Sequence, residues 1–362
     1  MRKIMISLLV FTAFGIDSAA GSDKYSIDRD TLDCWSAKFR NWHYYDKLVI
    51  PASPKDGLNF QLTDCPLIYR IDDNKWYVWY LGYDGRGYQT AVAESDDLVN
   101  WKPKQLVMSF GKPGAFDYGG VTFGGALFES YDLDKIGKLK KFKGKYRVLY
   151  GCYLRQGGYE LGPGAQGAAW SYDGIVWNRQ SEDKAVLSIE GAADWEKDTI
   201  YQPWLVEHGG KFWNFYNAYG SGGGQIGVAF TKDFVTWERY SENPILRTGA
   251  AGSYDSSYCS DPKVFRDGDH WVMIYFGVGK GGEHIMAAFS RDLLHWTAHP
   301  EPLYKAGGHP TGLDSHAAHK ITLIYNPQKD TYYMFYCASG NKGRGIALLT
   351  SKPLSKEQTI SP

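Results

Sequence analysis

Trp271-Val-Met-Ile-Tyr275 is a short apolar and aromatic run of the kind that forms a buried strand. It recurs as Trp76-Tyr-Val-Trp-Tyr80, Tyr146-Arg-Val-Leu-Tyr150, Phe212-Trp-Asn-Phe-Tyr216 and Tyr332-Tyr-Met-Phe-Tyr336, and the closing tyrosines lie 70, 66, 59 and 61 residues apart. A second strand-like run precedes each copy: CPLIYR at 65–70, GALFES at 125–130, PWLVEH at 203–208, PKVFRD at 262–267 and TLIYNP at 322–327. An Ala-rich run follows each copy, and four of these lead through DDLVNW, YDGIVW, KDFVTW and RDLLHW to Trp101, Trp177, Trp237 and Trp296. Each unit therefore reads as four antiparallel strands. Repetition of such units predicts an all-β, five-bladed β-propeller over 55–362, with a short N-terminal extension at 21–54. A short helix is expected near Asp30–Phe39, and the charged stretch 132–145 reads as a solvated surface hairpin.

Composition agrees. Of 362 residues, 16% are aromatic and 42 are Gly, which suits strands joined by turns. Forty basic residues balance forty acidic ones, which argues against a nucleic-acid partner. Residues 1–20 carry Arg2 and Lys3, an apolar run and small residues at Ser18 and Ala20, the pattern of an export signal. That run is short for a membrane span, so a secreted or periplasmic protein is expected. Cys34, Cys65, Cys152, Cys259 and Cys337 match no zinc spacing and read as small buried apolar residues.

In a propeller, the starts of the inner strands and the loops between second and third strands meet at one funnel, the default place for a site. Asp117, Glu196, Asp255 and Asp314 recur at one position of the repeat, which favours a structural role. Residues that break the repeat are stronger candidates: Asp64, Asp198, Asp261, His316 and His319. The return loops add Arg86, Tyr88 and Gln89, then Arg155 and Glu160, then Glu283 and His284, then Arg344. Aromatic faces beside acids and Arg suit sugar rings. Two carboxyl groups across a scissile bond would supply glycoside cleavage. A central metal held by His319 or His316, calcium being the candidate, is a further expectation; no cofactor is required.

Asp64 in LTDCP, the turns SDDLVNW, TKDFVTW and SRDLLHW, and SDPKVFRDGDHW together resemble the five-bladed propeller glycosidases, the superfamily of glycoside hydrolase families 43, 32, 62, 68, 117 and 130, over about residues 55–355. The resemblance implies an oligosaccharide or polysaccharide substrate from plants or algae. It implies Asp64 as base or nucleophile, Asp261 or Asp198 as pKa modulator, and His319, Glu160 or Glu196 as acid. His316, Arg86, Lys320, Tyr88 and Gln202 would hold substrate. The chain departs from family 43 where Phe123 and Gln202 stand at inner-strand positions that carry acids there, and it lacks the NDPNG box of fructosidases. A phosphorylase using Arg86, Arg155, Lys320 and Arg344, and a sugar-binding propeller without catalysis, are the alternatives.

Overall fold

The computed structural model describes residues 24–53, 55, 57–354 and 359–360, so the expected export signal at 1–20 lies outside the described residues. The fold is all-β and of propeller type. Its inner strands are Thr63–Tyr69, Gly120–Ala126, Thr199–His208, Tyr258–Asp267 and Ala317–Asn326. Each pairs antiparallel with an aromatic strand: Trp76–Tyr83, Lys145–Tyr153, Lys211–Gly220, His270–Gly279 and Thr331–Gly340. A third strand follows in each unit, and short outer strands such as Glu238–Arg239 and Thr297–Ala298 complete the pattern. In the last unit the outer place is taken by His43–Tyr45, from the other end of the chain, paired with Gly343–Thr350.

The turns behind SDDLVNW and its relatives have one physical cause. Asp97, Asp173, Asp233 and Asp292 each accept two backbone N–H groups through one carboxylate oxygen, at 2.8 to 3.0 Å. Between the units, aromatic rings fill the core: Trp79 meets Phe123 and Trp177 edge-on at 5.1 and 5.2 Å. Phe123 is therefore a packing residue, and burying such a ring contributes roughly 1.5–3 kcal/mol.

The helix forms at Arg29–Ser36, where Asp28 caps it by accepting the Thr31 N–H at 2.9 Å. The 132–145 stretch is not simply solvated. Leu133, Ile136 and Leu139 are buried in the main core, and only its end forms the Lys141–Phe142 hairpin strand. Cys152, Cys259 and Cys337 are buried, whereas Cys34 is exposed.

Two features set up the site. Single parallel pairs join Tyr88 to Gly120, Gly224 to Tyr258 and Glu283 to Ala317. Each brings a return loop beside the start of the next inner strand, at one end of the sheets. Every inner strand also slips register once, between Asp64 and Leu67, Phe123 and Gly125, Ile200 and Pro203, Ser260 and Lys263, and His319 and Thr322. Cys65, Asp261 and Lys320 adopt positive φ of 46°, 51° and 50° there. A bulge interrupts alternation, so two consecutive side chains face one way.

Candidate functional site

Asp64, 1% exposed, forms the floor. Its Oδ1 accepts the Cys65 N–H at 2.8 Å, and its Oδ2 accepts Lys320 Nζ at 3.1 Å and Arg344 Nη2. His319 Nε2 stands 4.0 Å from Oδ1. Burial alone would raise the Asp64 pKa, but Lys320, Arg344 and His319 outweigh it and hold the carboxyl well below the usual carboxylate range.

Because the bulge turns His319 and Lys320 to the same side, these neighbours reach two different loops. His319 Nδ1 bonds Glu283, and Lys320 Nζ lies 3.6 Å from Glu160 Oε1. Burial opposes charge on the imidazole, yet the Cys337 sulfur, Glu283 and Asp64 raise His319 to about 10. Burial would lift Glu283, and the bond from His319 brings it below its ordinary value instead. The Glu283 and Glu160 side chains are 35% and 40% exposed, so both carboxylates meet solvent while Asp64 does not.

A second group lies alongside. Asp261 is buried, and its pKa is raised by burial against the pull of Lys320 and Lys263. Burial lowers the pKa of Lys263, which sits over the Trp204 ring at 5.3 Å. Gln202 Nε2 donates to Cys65 Sγ at 3.4 Å. Residue 124 must be Gly because a Cβ there would fall 2.4 Å from Gln202 Oε1 and 2.8 Å from the Pro203 carbonyl. The second inner strand therefore brings no carboxylate to the site. Asp261 directly precedes Pro262, whereas Asp64 is two residues before Pro66, so the bulge gives the place of Asp261 to Cys65 in the first unit.

Tyrosines form a wall beside Glu160. Tyr159 and Tyr88 lie 6.2 Å apart, Tyr88 and Tyr153 5.1 Å, Tyr153 and Tyr201 6.0 Å, Tyr201 and Tyr219 5.2 Å, and Tyr219 and Tyr258 4.8 Å. Burial first, and then the Glu160 charge, raises Tyr88, Tyr153 and Tyr201, the last to about 12.

Other sequence candidates are placed differently, Asp198 and His316 at the rim of the mouth beside Tyr219 and Gly282, the rest in bonds of their own. Glu196 is buried against Arg239, at 2.7 Å, and the Tyr216 hydroxyl, at 2.7 Å. Asp117 has the matching partners Arg179 and Tyr150, and Asp255 and Asp314 accept from Tyr275 and Tyr336, so the repeated acid braces the four units that carry it. Asp198 and His316 are exposed, and their described bonds are backbone N–H donations to the Tyr219 and Ser339 carbonyls. Arg86 is occupied by Asp84 at 2.8 Å. Glu283 is the residue that sequence reasoning left among the loop polar groups; its signal was a return-loop acid at the point where the chain runs beside the next inner strand.

Asp64, His319 and Cys337 present ligand atoms within 4.8 Å of one another. Calcium takes about six to eight oxygens. This set mixes one carboxylate with an imidazole and a thiol, and Lys320 and Arg344 already occupy the carboxylate. It does not fit calcium.

The chain matches no curated protein. Among solved structures it resembles BT0996 in its RGII complex, with 29% identity over 91% of this chain and 97% of that one and a TM-score of 0.79. A glycoside hydrolase is similar at 28% identity, 93% and 99% coverage and a TM-score of 0.79. Zg3597, a family 117 glycoside hydrolase of Zobellia galactanivorans, shares the fold at 13% identity, with 86% and 90% coverage and a TM-score of 0.59. Residues 133–313, half of the chain, match the family model of the glycosyl hydrolases family 32 N-terminal domain. The chain belongs to that family, and it is a glycoside hydrolase.

Proposed function

We propose that this is an exported, five-bladed propeller enzyme that hydrolyses glycosidic bonds in plant or algal polysaccharide fragments, with Glu283 and Glu160 as the working carboxylates. One observation carries the reading: adjacent residues His319 and Lys320 hold two half-exposed carboxylates at one mouth, above a sealed Asp64. Glycoside cleavage needs such a pair. The neighbour solved as an RGII complex supports a saccharide fragment as substrate.

In this scheme Glu160 takes up a proton from solvent and gives it to the glycosidic oxygen as the bond from that oxygen to the anomeric carbon breaks. Glu283, kept ionised by His319, either takes a proton from the attacking water or attacks the anomeric carbon itself, forming a glycosyl ester that a water deprotonated by Glu160 then cleaves. Asp64 is then an anchor rather than the base, because both its oxygens are engaged away from solvent. Asp261 tunes the site through the charge of Lys320. A phosphorylase would need cations left over for phosphate. Lys320 and Arg344 are bound to Asp64 and Arg86 to Asp84, so three of the four candidate cations already face a carboxylate. Hydrolysis is the better fit.

The test is turnover of aryl glycosides and of RGII fragments by Glu283→Gln and Glu160→Gln, with and without phosphate. Each variant is expected to lose about 10²–10⁴-fold in kcat. Azide should restore part of the Glu283→Gln activity if that residue is the nucleophile or base. Near-normal kcat in either variant would overturn the assignment.

A further inference from the structure

The two sides of the mouth differ in kind. The last unit presents His319, Lys320 and Arg344, and Glu283 is bound into that charged side. The tyrosine wall runs round the rest of the mouth, from Tyr159 next to Glu160 to Tyr258, which lies two strands from Glu283 in the same unit. The two ends are open: Tyr159 is 48% exposed and Tyr258 36%, while Tyr88 and Tyr153 between them are 5% exposed. The far end is built for ring contact. Residue 224 is Gly, and a Cβ there would lie 2.9 Å from the Tyr258 ring and 3.1 Å from the Tyr219 ring. The tyrosine rings thus settle on bare backbone.

From this asymmetry we infer that the tyrosine wall is an extended subsite for the leaving-group saccharide, with successive sugar rings running from Glu160 towards Tyr219 and Tyr258. The inference rests on the roles proposed above for Glu160 and Glu283, and adds where the rest of the saccharide lies. Sugar rings offer C–H faces to aromatic rings and hydroxyls to phenol oxygens, and the exposed Tyr258 with the half-buried Tyr201 and Tyr219 can serve both, backed by the buried Tyr88 and Tyr153. The charged side around Glu283 and Arg344 suits the glycone, whose hydroxyls would meet charged groups. The proton delivered by Glu160 then reaches the oxygen that leaves with the wall-bound saccharide. On this arrangement the substrate is an oligosaccharide, held by more than the sugar being cleaved.

The experiment measures binding, separately from turnover. Arabino-, xylo-, manno- and galacto-oligosaccharides graded in length, together with RGII fragments, are titrated calorimetrically into the wild-type protein, Tyr258→Ala and Tyr219→Ala. Tyr172→Ala, 62% exposed and in edge contact with Trp170, serves as a control remote from the wall. The expected result is a wild-type affinity that rises with length for at least one series. Tyr258→Ala should then remove about three- to tenfold of affinity from the longer members only. Tyr219→Ala should act likewise, and it decides the matter if Tyr258→Ala fails to fold. No gain with length in any series, or a gain that survives both substitutions, overturns the inference. Loss of kcat in Glu160→Gln and Glu283→Gln alongside such a failure would leave the catalytic reading standing and remove the wall alone.

Discussion

At Asp64 two cations meet an anion that water cannot reach, and a third cation, His319, stands beside it with its own counter-charge in Glu283. Such a cluster makes folding depend on pH. Asp64 is held below its unfolded value of about 3.9, so its stabilisation is present above that pH and is lost on acidification. His319 is raised to about 10 from an unfolded value of about 6.5. Its contribution is full below pH about 6.5 and is lost as pH climbs to about 10. The denaturant midpoint should therefore fall between pH 6.5 and 10, and His319→Gln should flatten that fall. An equally steep alkaline decline in the variant would refute the linkage. The identity of this floor was partly legible in the chain, since Asp64, His319 and Lys320 all stand out from the repeat. Their division of labour was not. Whether an acid is sealed under Lys and Arg or open to a sugar depends on side chains that arrive from 256 and 280 residues away.

Among the elements, the aromatic strands and the Asp-capped turns follow from local rules, and they read directly from sequence. Bulges do not. A slipped residue leaves no residue type as its mark: Cys65, Asp261 and Lys320 share a positive φ with nothing in common chemically. Asp64 and Asp261 both break the repeat near the start of an inner strand, yet they are offset by one position. The repeated acid is the converse case, where recurrence pointed to structure. Glu196 is bound to Arg239 and Tyr216 below solvent reach. Glu196→Gln should cost about 3–5 kcal/mol of stability, since it leaves Arg239 facing a neutral partner. Its kcat in the folded fraction should stay within about twofold of wild type. A kcat collapse with unchanged melting would instead restore Glu196 as a candidate acid.

On the scale of the whole molecule, the repeat spacing announced a propeller-type architecture, but how the ring is fastened was not readable. The fastening is the His43–Tyr45 strand, together with Ile50–Pro51, on the Gly343–Thr350 strand. Deleting 24–51 should lower the melting temperature and expose the Gly343–Thr350 amides to hydrogen exchange first. Unchanged protection in that strand would contradict the closure. This clasp also bears on the order of events during synthesis. The His43–Tyr45 segment is made before every inner strand and its partner after all of them, so the circle stays open until the whole repeat has been translated. Such pairing between distant parts of a chain slows folding, and because the Gly343–Thr350 strand carries Arg344, it makes completion of the Asp64 cluster a step later than the pairing within each unit.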